Sequence, residues 1–246
     1  PPRWSLVAPA SQKTILGGQW LLPQMNFLKE IIITEIPFQV SAEIKIAETL
    51  QADHEVFSEK FSPKVIRHAV TSPNGKTLVF NAVGYLWKKS LPNGKPQRIT
   101  NSDDFEFEPD FSPDGKHIIY VTWDDADLGT IKRVSLSGGS SETLTKTKGI
   151  YRNPSYSNDG KMIVFSKESG NSDQGQTFSK EPGIYTMTAS GENIKRLTKD
   201  GIFPVFNVDN TRIFYQTGGY FFGSLTKSLK STDLEGNDER THINSK

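Results

Sequence analysis

The chain contains no cysteine. That excludes disulfides, thiolate nucleophiles and cysteine-ligated zinc, and it leaves the compartment open. Histidine is scarce: His54, His68, His117 and His242 are all four, and no two stand two residues apart. Neither sign of charge is in excess, with 29 Lys and Arg against 28 Asp and Glu and a net charge of +1. Such a balance creates no field that would gather a phosphate backbone, so no nucleic-acid partner is expected. Long hydrophobic runs are also missing. The most apolar stretch, Ile15 to Ile33, is broken by Gly17-Gly18, Pro23, Lys29 and Glu30, short of the roughly 18 uninterrupted apolar residues of a membrane-crossing helix. Membrane insertion is therefore not expected. No signal-peptide pattern is visible, and the chain opens on Pro1-Pro2 rather than Met. A processed, trimmed or subcloned chain is expected, one that a targeting address once preceded.

Catalytic signatures are missing too. There is no Gly-x-Ser-x-Gly elbow and no glycine-rich phosphate loop between a strand and a helix. His54-Glu55 opens like a zinc-protease helix, but Phe57 and Ser58 follow where the second histidine belongs. No catalytic residue, metal ligand set or cofactor is expected. The acidic runs Asp103, Asp104, Glu106, Glu108, Asp110 and Asp124, Asp125, Asp127 lack the spacing of a calcium loop, and solvated acidic loops are the simpler expectation.

What is present is a repeat. The 246 residues, 11% aromatic with 20 Gly and 14 Pro, suit many short elements with frequent turns. Four segments superimpose without gaps: Thr71–Phe80, Phe111–Tyr120, Tyr156–Phe165 and Phe206–Tyr215. Their anchor residues, Ser72, Ser112, Ser157 and Asn207, are 40, 45 and 50 residues apart, the size of a four-stranded propeller blade. Gly75, Gly115 and Gly160 occupy the hairpin position that needs a positive φ, and Asn210, the next most tolerant residue, replaces them in the fourth copy. Asn74, Asp114, Asp159 and Asp209 precede them and can bond the turn's own backbone. Three apolar residues follow each turn, as in Ile118-Ile119-Tyr120. An unbroken run of this kind means a strand covered on both faces.

Third strands are expected over Leu86–Leu91, Ile131–Leu136, Ile184–Ala189 and Leu229–Leu234. Fourth strands are marked by Ile99-Thr100, Leu144-Thr145 and Leu197-Thr198, and more weakly by Arg240–Ile243. The fold class is thus all-β, a β-propeller of four-stranded antiparallel blades at about 66–100, 106–145, 151–198 and 201–243, all within 61–246. A sandwich with chance turn similarity is the alternative, and four matching copies argue against it. Residues 1–60 lack the motif and are expected to form an N-terminal β region or a degenerate blade. The array is expected to be an open arc, or to close through residues 1–60.

The Ser-Pro-Asp-Gly-Lys turns, with Leu-x-Gly-Gly and Leu-Thr downstream, resemble the TolB-like propeller repeat over Ile66 to Ile243. More narrowly, Gly84-Tyr85-Leu86-Trp87, Leu91–Pro96, Phe107-Glu108-Pro109, Tyr120–Asp125 and Lys230–His242 look like the propeller portion of large secreted bacterial amidohydrolase-type proteins. The first resemblance implies a TolB-like fold. The second implies a non-catalytic accessory, substrate-gating or protein-interaction segment of a larger hydrolase, in an extracytoplasmic and specifically periplasmic setting. Its partner would be a protein or peptide, a catalytic domain of the same parent chain included. A stand-alone TolB-type scaffold of an envelope transport complex is the alternative, and a lyase or hydrolase acting in its own channel is the weakest. The His-x-His pair of amidohydrolases is absent here, so no part of that metal chemistry carries over.

In a propeller the innermost strand of each blade lines the channel, so equivalent residues become neighbours around one ring. The candidates for a binding role are Arg67, His68, Glu106, Glu108, Tyr151, Arg152 and Asn153. Either these groups bind a ligand or peptide, or they pair with each other and seal the ring. Pro109, Pro154 and Pro204 share one position and are expected to limit hydrogen bonding where the inner strand begins or bends.

Overall fold

A computed structural model describes residues 62–245, apart from 127, 172–175, 178–179 and 222–223. The expectations for residues 1–60, and for Asp127 among the acidic residues, lie outside the described residues. The described part contains no helix. Four four-stranded antiparallel sheets follow one another along the chain. The first holds β1 (Arg67–Thr71), β2 (Thr77–Ala82), β3 (Tyr85–Ser90) and β4 (Gln97–Arg98). The second holds β5 (Phe105–Phe111), β6 (His117–Asp124), β7 (Leu128–Ser135) and β8 (Glu142–Thr143). The third runs through β9 (Ile150–Tyr156) and β10 (Met162–Glu168), then past a small β11 (Gly170–Asn171) and β12 (Gln176–Thr177) pair, to β13 (Gly183–Thr188) and β14 (Lys195–Arg196). The fourth holds β15 (Ile202–Phe206), β16 (Arg212–Phe221), β17 (Ser224–Asp233) and β18 (Arg240–Asn244). In each sheet the chain steps from one edge to the other through adjacent strands.

The turns form because each anchor side chain closes its own hairpin. The Ser72 hydroxyl accepts the Thr77 N–H at 2.9 Å and donates to Asn74 Oδ1 at 2.8 Å, while the same Oδ1 accepts the Lys76 N–H at 3.0 Å. Ser112 with Asp114 and Ser157 with Asp159 repeat the pattern. Gly75, Gly115 and Gly160 carry φ of 69°, 69° and 70°, and Asn210 carries 58°. The fourth turn keeps this geometry with different chemistry, Asn207 Oδ1 accepting the Arg212 N–H at 2.8 Å in place of a serine hydroxyl.

The unbroken apolar triplets are explained by the seams between blades. Val79 packs with Ile118 and Tyr120, Ile119 with Ile163 and Phe165, and Val164 with Ile213 and Tyr215. In the first three triplets the middle residue therefore faces the next blade, and in the last three its two neighbours face the preceding one, as strand alternation requires. A cation from each of the first three blades also reaches a carbonyl at the third turn of the next. Lys88 Nζ donates to Leu136 O at 2.7 Å, Arg133 Nη1 to Ala189 O at 2.8 Å and Lys195 Nζ to Leu234 O at 3.5 Å.

The inner strands stack β1 on β5, β5 on β9 and β9 on β15, and among the described residues no comparable seam joins the fourth blade to the first. The described unit is a partial β-propeller. Two of the third strands are longer than the sequence pattern marks, β7 beginning at Leu128 and β17 at Ser224. The fourth-copy outer strand, the weakest in sequence, is the longest of its kind: β18 has five residues where β4, β8 and β14 each have two.

Candidate functional site

Every inner strand carries an irregularity at the same place. Pairing shifts register between Arg67 and Val70, Phe107 and Asp110, Ser155 and Arg152, and Ile202 and Val205. His68, Glu108, Asn153 and Phe203, equivalent in the repeat, all sit in the left-handed region at φ of 49°, 49°, 50° and 53°. Pro109, Pro154 and Pro204 follow three of them, and proline's missing N–H suits a bulge. A left-handed backbone is costly for these residue types. Its recurrence marks a device of the fold, which in the second blade turns a side chain toward the third.

In the centre of the arc that side chain is Glu108, which is nearly buried. Arg152 donates from Nε at 2.9 Å and from Nη2 at 2.5 Å to Glu108 Oε1, and the Asn153 N–H donates to Oε2 at 2.6 Å. The pairing with Glu108 raises the already high Arg152 pKa further. Two residues on, Asp110 Oδ2 accepts the Ser155 hydroxyl at 3.1 Å and the Tyr156 N–H at 2.9 Å. Burial lifts the Asp110 pKa above the usual carboxylate range, and these bonds offset part of that.

Glu106 points the other way. It is fully buried, and its Oε2 accepts the Leu86 N–H of the first blade at 2.7 Å while Oε1 accepts the Thr100 hydroxyl. The Asn81 side-chain amide donates to its backbone carbonyl. The same strand N–H is capped by threonine in the next two blades, Ile131 N–H on Thr145 Oγ1 at 2.9 Å and Ile184 N–H on Thr198 Oγ1 at 3.0 Å. Tyr151, equivalent to Glu106, is buried in the seam cluster with Ile131 and Leu144, its hydroxyl bonded to Thr147.

Two expectations are thereby corrected. Glu106 and Tyr151 are seam residues rather than channel groups open to a ligand, because alternation along the inner strand turns their position back into the preceding blade. The acidic run before the second turn is likewise no solvated loop. Glu106 and Glu108 are buried, and Asp104 pairs with Lys132 at 2.5 Å. The structure brings Glu108, Arg152 and Asn153 together and leaves Arg67 and His68 apart from them, both exposed on β1. Sequence reasoning missed Asp110 as a tie between blades. It also read the Leu-Thr pairs only as strand markers, whereas Thr145 and Thr198 cap a buried N–H. Lys167, half-buried, lies about 6.0 Å from the Tyr151 ring and 5.9 Å from Tyr185, and Arg98, also half-buried, stacks 3.7 Å over Tyr85 and donates to Ser102 O.

Among the described residues no three His, Asp or Glu side chains converge as metal ligands. Ser231 Oγ lies 2.8 Å from His242 Nε2, the distance of a nucleophile and its base. Yet Ser231 is fully buried and its oxygen also accepts from Arg212 Nε at 3.1 Å, which holds it as a packing link. The arrangement can present charge and hydrogen-bonding groups on a rigid β frame.

No family model and no curated protein matches this sequence. Solved structures do match. TolB from Acinetobacter baumannii is similar at a TM-score of 0.57 and 20% identity over 72% of this chain and 43% of that one. An oligogalacturonate lyase in complex with manganese is similar at 0.57 and 15% over 72% of this chain and 53% of that one. Hydrazine synthase from Kuenenia stuttgartiensis is similar at 0.52 and 14% over 65% of this chain and 28% of that one. The fold is TolB-like, and the chain spans about half the length, or less, of the structures it resembles.

Proposed function

We propose that this chain is a non-catalytic propeller segment that binds a protein or peptide, as an accessory or gating domain of a larger extracytoplasmic hydrolase. The observation that carries this reading is the division of labour on the inner strands. Glu106, Glu108, Asp110 and Tyr151 are consumed in tying blades together, whereas Arg67 and His68 are exposed and the Arg152 guanidinium remains 42% accessible beside its carboxylate. A frame with its carboxylates locked and two guanidinium groups and an imidazole left open suits recognition of an acidic or carbonyl-rich peptide surface.

The hydrolase setting rests on the resemblance of Gly84–Trp87, Leu91–Pro96 and Lys230–His242 to amidohydrolase-associated propellers. A TolB-type scaffold in an envelope complex is the second reading, favoured by the match to TolB itself. Calorimetric titration of this chain with a catalytic domain encoded in the same natural reading frame separates them. The accessory reading expects binding that Arg67→Glu and His68→Ala weaken about tenfold. A natural frame with no such domain, or no binding to it, sinks that reading and leaves the scaffold.

A further inference from the structure

The third and fourth blades leave a cleft of about 480 Å³ between them, bounded by β14 with the linker after it and by the β17–β18 arm. That lies within the roughly 300–1,000 Å³ range of small-ligand sites. The most buried residue in its wall is Thr232, 1% exposed, whose Oγ1 finds no hydrogen-bond partner among the described residues. Strand pairing sets Thr232 opposite Ile213, as Val134 stands opposite Ile118 and Met187 opposite Ile163. Those two equivalents are apolar and belong to the core clusters. A hydroxyl buried without a partner destabilises a fold, and valine, of the same shape, already serves this position in the second blade. Groups that the fold alone disfavours are found where function uses them.

The same wall carries a braced ion pair. Lys230 Nζ donates to Glu239 Oε1 at 2.7 Å, and the Tyr215 hydroxyl donates to Oε2 at 2.6 Å. In the second blade the equivalent lysine, Lys132, is held by Asp104, eight residues before the anchor Ser112. Eight residues before Asn207 stands Lys199 instead, and Lys230 turns to Glu239. Lys230 and Glu239 stay 24% and 46% accessible. The ammonium has spent one of its three donors, and each carboxylate oxygen keeps a lone pair, while the Thr232 hydroxyl can still donate and accept. An ionic ligand would have to compete with the partner that each charge already has. Adjacent neutral hydroxyls, which both donate and accept, complete the pair without breaking it. We propose that this cleft binds a neutral sugar, one hydroxyl donating to Glu239, its neighbour accepting from Lys230 and a third reaching Thr232. The site belongs to outer strands, so it is separate from the inner-strand cations and independent of the peptide reading.

Saturation-transfer NMR of the 246-residue chain with glucose, galactose, mannose, maltose and cellobiose at millimolar concentration tests this. At least one is expected to bind, and Thr232→Val and Lys230→Met are each expected to weaken it about fivefold, the loss of one hydrogen bond. Without sugar, Thr232→Val is expected to melt no lower than wild type, because the fold supplies the hydroxyl with no partner. Silence across all five sugars overturns the proposal. So does binding that either variant leaves unchanged, which puts the sugar elsewhere, and so does binding of glucuronate without glucose, the mark of a carboxylate site. A Thr232→Val protein that melts below wild type would show the hydroxyl serving the fold, and would overturn it as well.

Discussion

Asn158 in the third turn holds Asn210 in the fourth. The Asn158 backbone N–H donates to Asn210 Oδ1 at 2.8 Å, and its side-chain amide donates to the same oxygen at 3.1 Å and to Asn207 O at 2.8 Å. In the two earlier seams the corresponding partners are proline and glycine. A Cβ on Gly115 would touch Pro73 at 3.5 Å, and one on Gly160 would touch Pro113 at 3.4 Å. Proline has no N–H to give and glycine no oxygen to receive it, so the fourth turn exchanges an apolar contact for a polar one at both positions together. Asn158→Pro or Asn210→Gly alone is expected to lose these bonds, at about 1 kcal/mol each. The double variant recreates the earlier pairing and is expected to be more stable than the sum of the single changes by roughly 0.5–1 kcal/mol. Urea denaturation of the four proteins measures the coupling, and strict additivity would refute it.

Glu108→Ala removes the acceptor of three hydrogen bonds and leaves the Asn153 N–H and the Arg152 guanidinium without it. A destabilisation of about 2–4 kcal/mol is expected. Glu108→Gln, which keeps an acceptor but loses the charge, is expected to fall between Ala and wild type. Hydrogen exchange should locate the loss at β9 and its seam with β5, faster exchange there being the signature. Unchanged protection of β9 would count against the role.

Glu106 carries a pH signature. Burial holds its pKa above the ordinary 4.5, and the bonds from Thr100 and Leu86 only partly compensate. A carboxyl that binds its proton more tightly when folded contributes stability that is fully present below its unfolded value and is lost as pH rises through the folded one. Glu106→Gln keeps an acceptor for Leu86 and removes the titration. Its stability relative to wild type is therefore expected to improve as pH rises from 4.5 toward neutrality. Thermal melts across that window check this, and a constant difference would rule it out. Asp238 and Glu239 act in the opposite sense. Arg240 and Arg212 hold Asp238 low, and Lys230 and Tyr215 hold Glu239 low, so their contribution is present above the ordinary carboxylate range and fades as pH falls through the folded values.

Thr145→Val removes the hydroxyl that caps the Ile131 N–H while keeping the shape of the side chain. Thr145 and Ile131 are both buried, so the orphaned N–H is expected to cost about 1–3 kcal/mol. Thr145→Ser keeps the cap and is expected to recover most of that. A Val variant as stable as wild type in chemical denaturation would show that the hydroxyl is dispensable.

Local signals were readable in the sequence because they are local. Ser72, Asn74, Gly75 and their three sets of equivalents close hairpins through bonds spanning five residues or fewer, so the turns, the repeat and the all-β class followed from spacing alone. The apolar triplets announced strands covered on both faces, and the seams bear that out. The alignment also placed His68, Glu108, Asn153 and Phe203 at one position, which the structure finds in one left-handed conformation.

The direction of each side chain had to wait for the tertiary structure. Glu106 and Glu108 stand two residues apart, both acidic, in a run that reads as a solvated loop. A bulge between them and the next paired residue, Asp110, changes the register, and one carboxylate turns back to Leu86 while the other turns forward to Arg152 and Asn153. Their partners lie 20 and 44 to 45 residues away, beyond any local pattern, and only packing blade on blade brings them within hydrogen-bond reach. The sequence by itself determined the turns, the blades and their order, because short-range geometry dictates those. Which charges are buried in seams and which stay open to a partner was decided by the stacking of the blades, because desolvation and long-range pairing exist only once the sheets face each other.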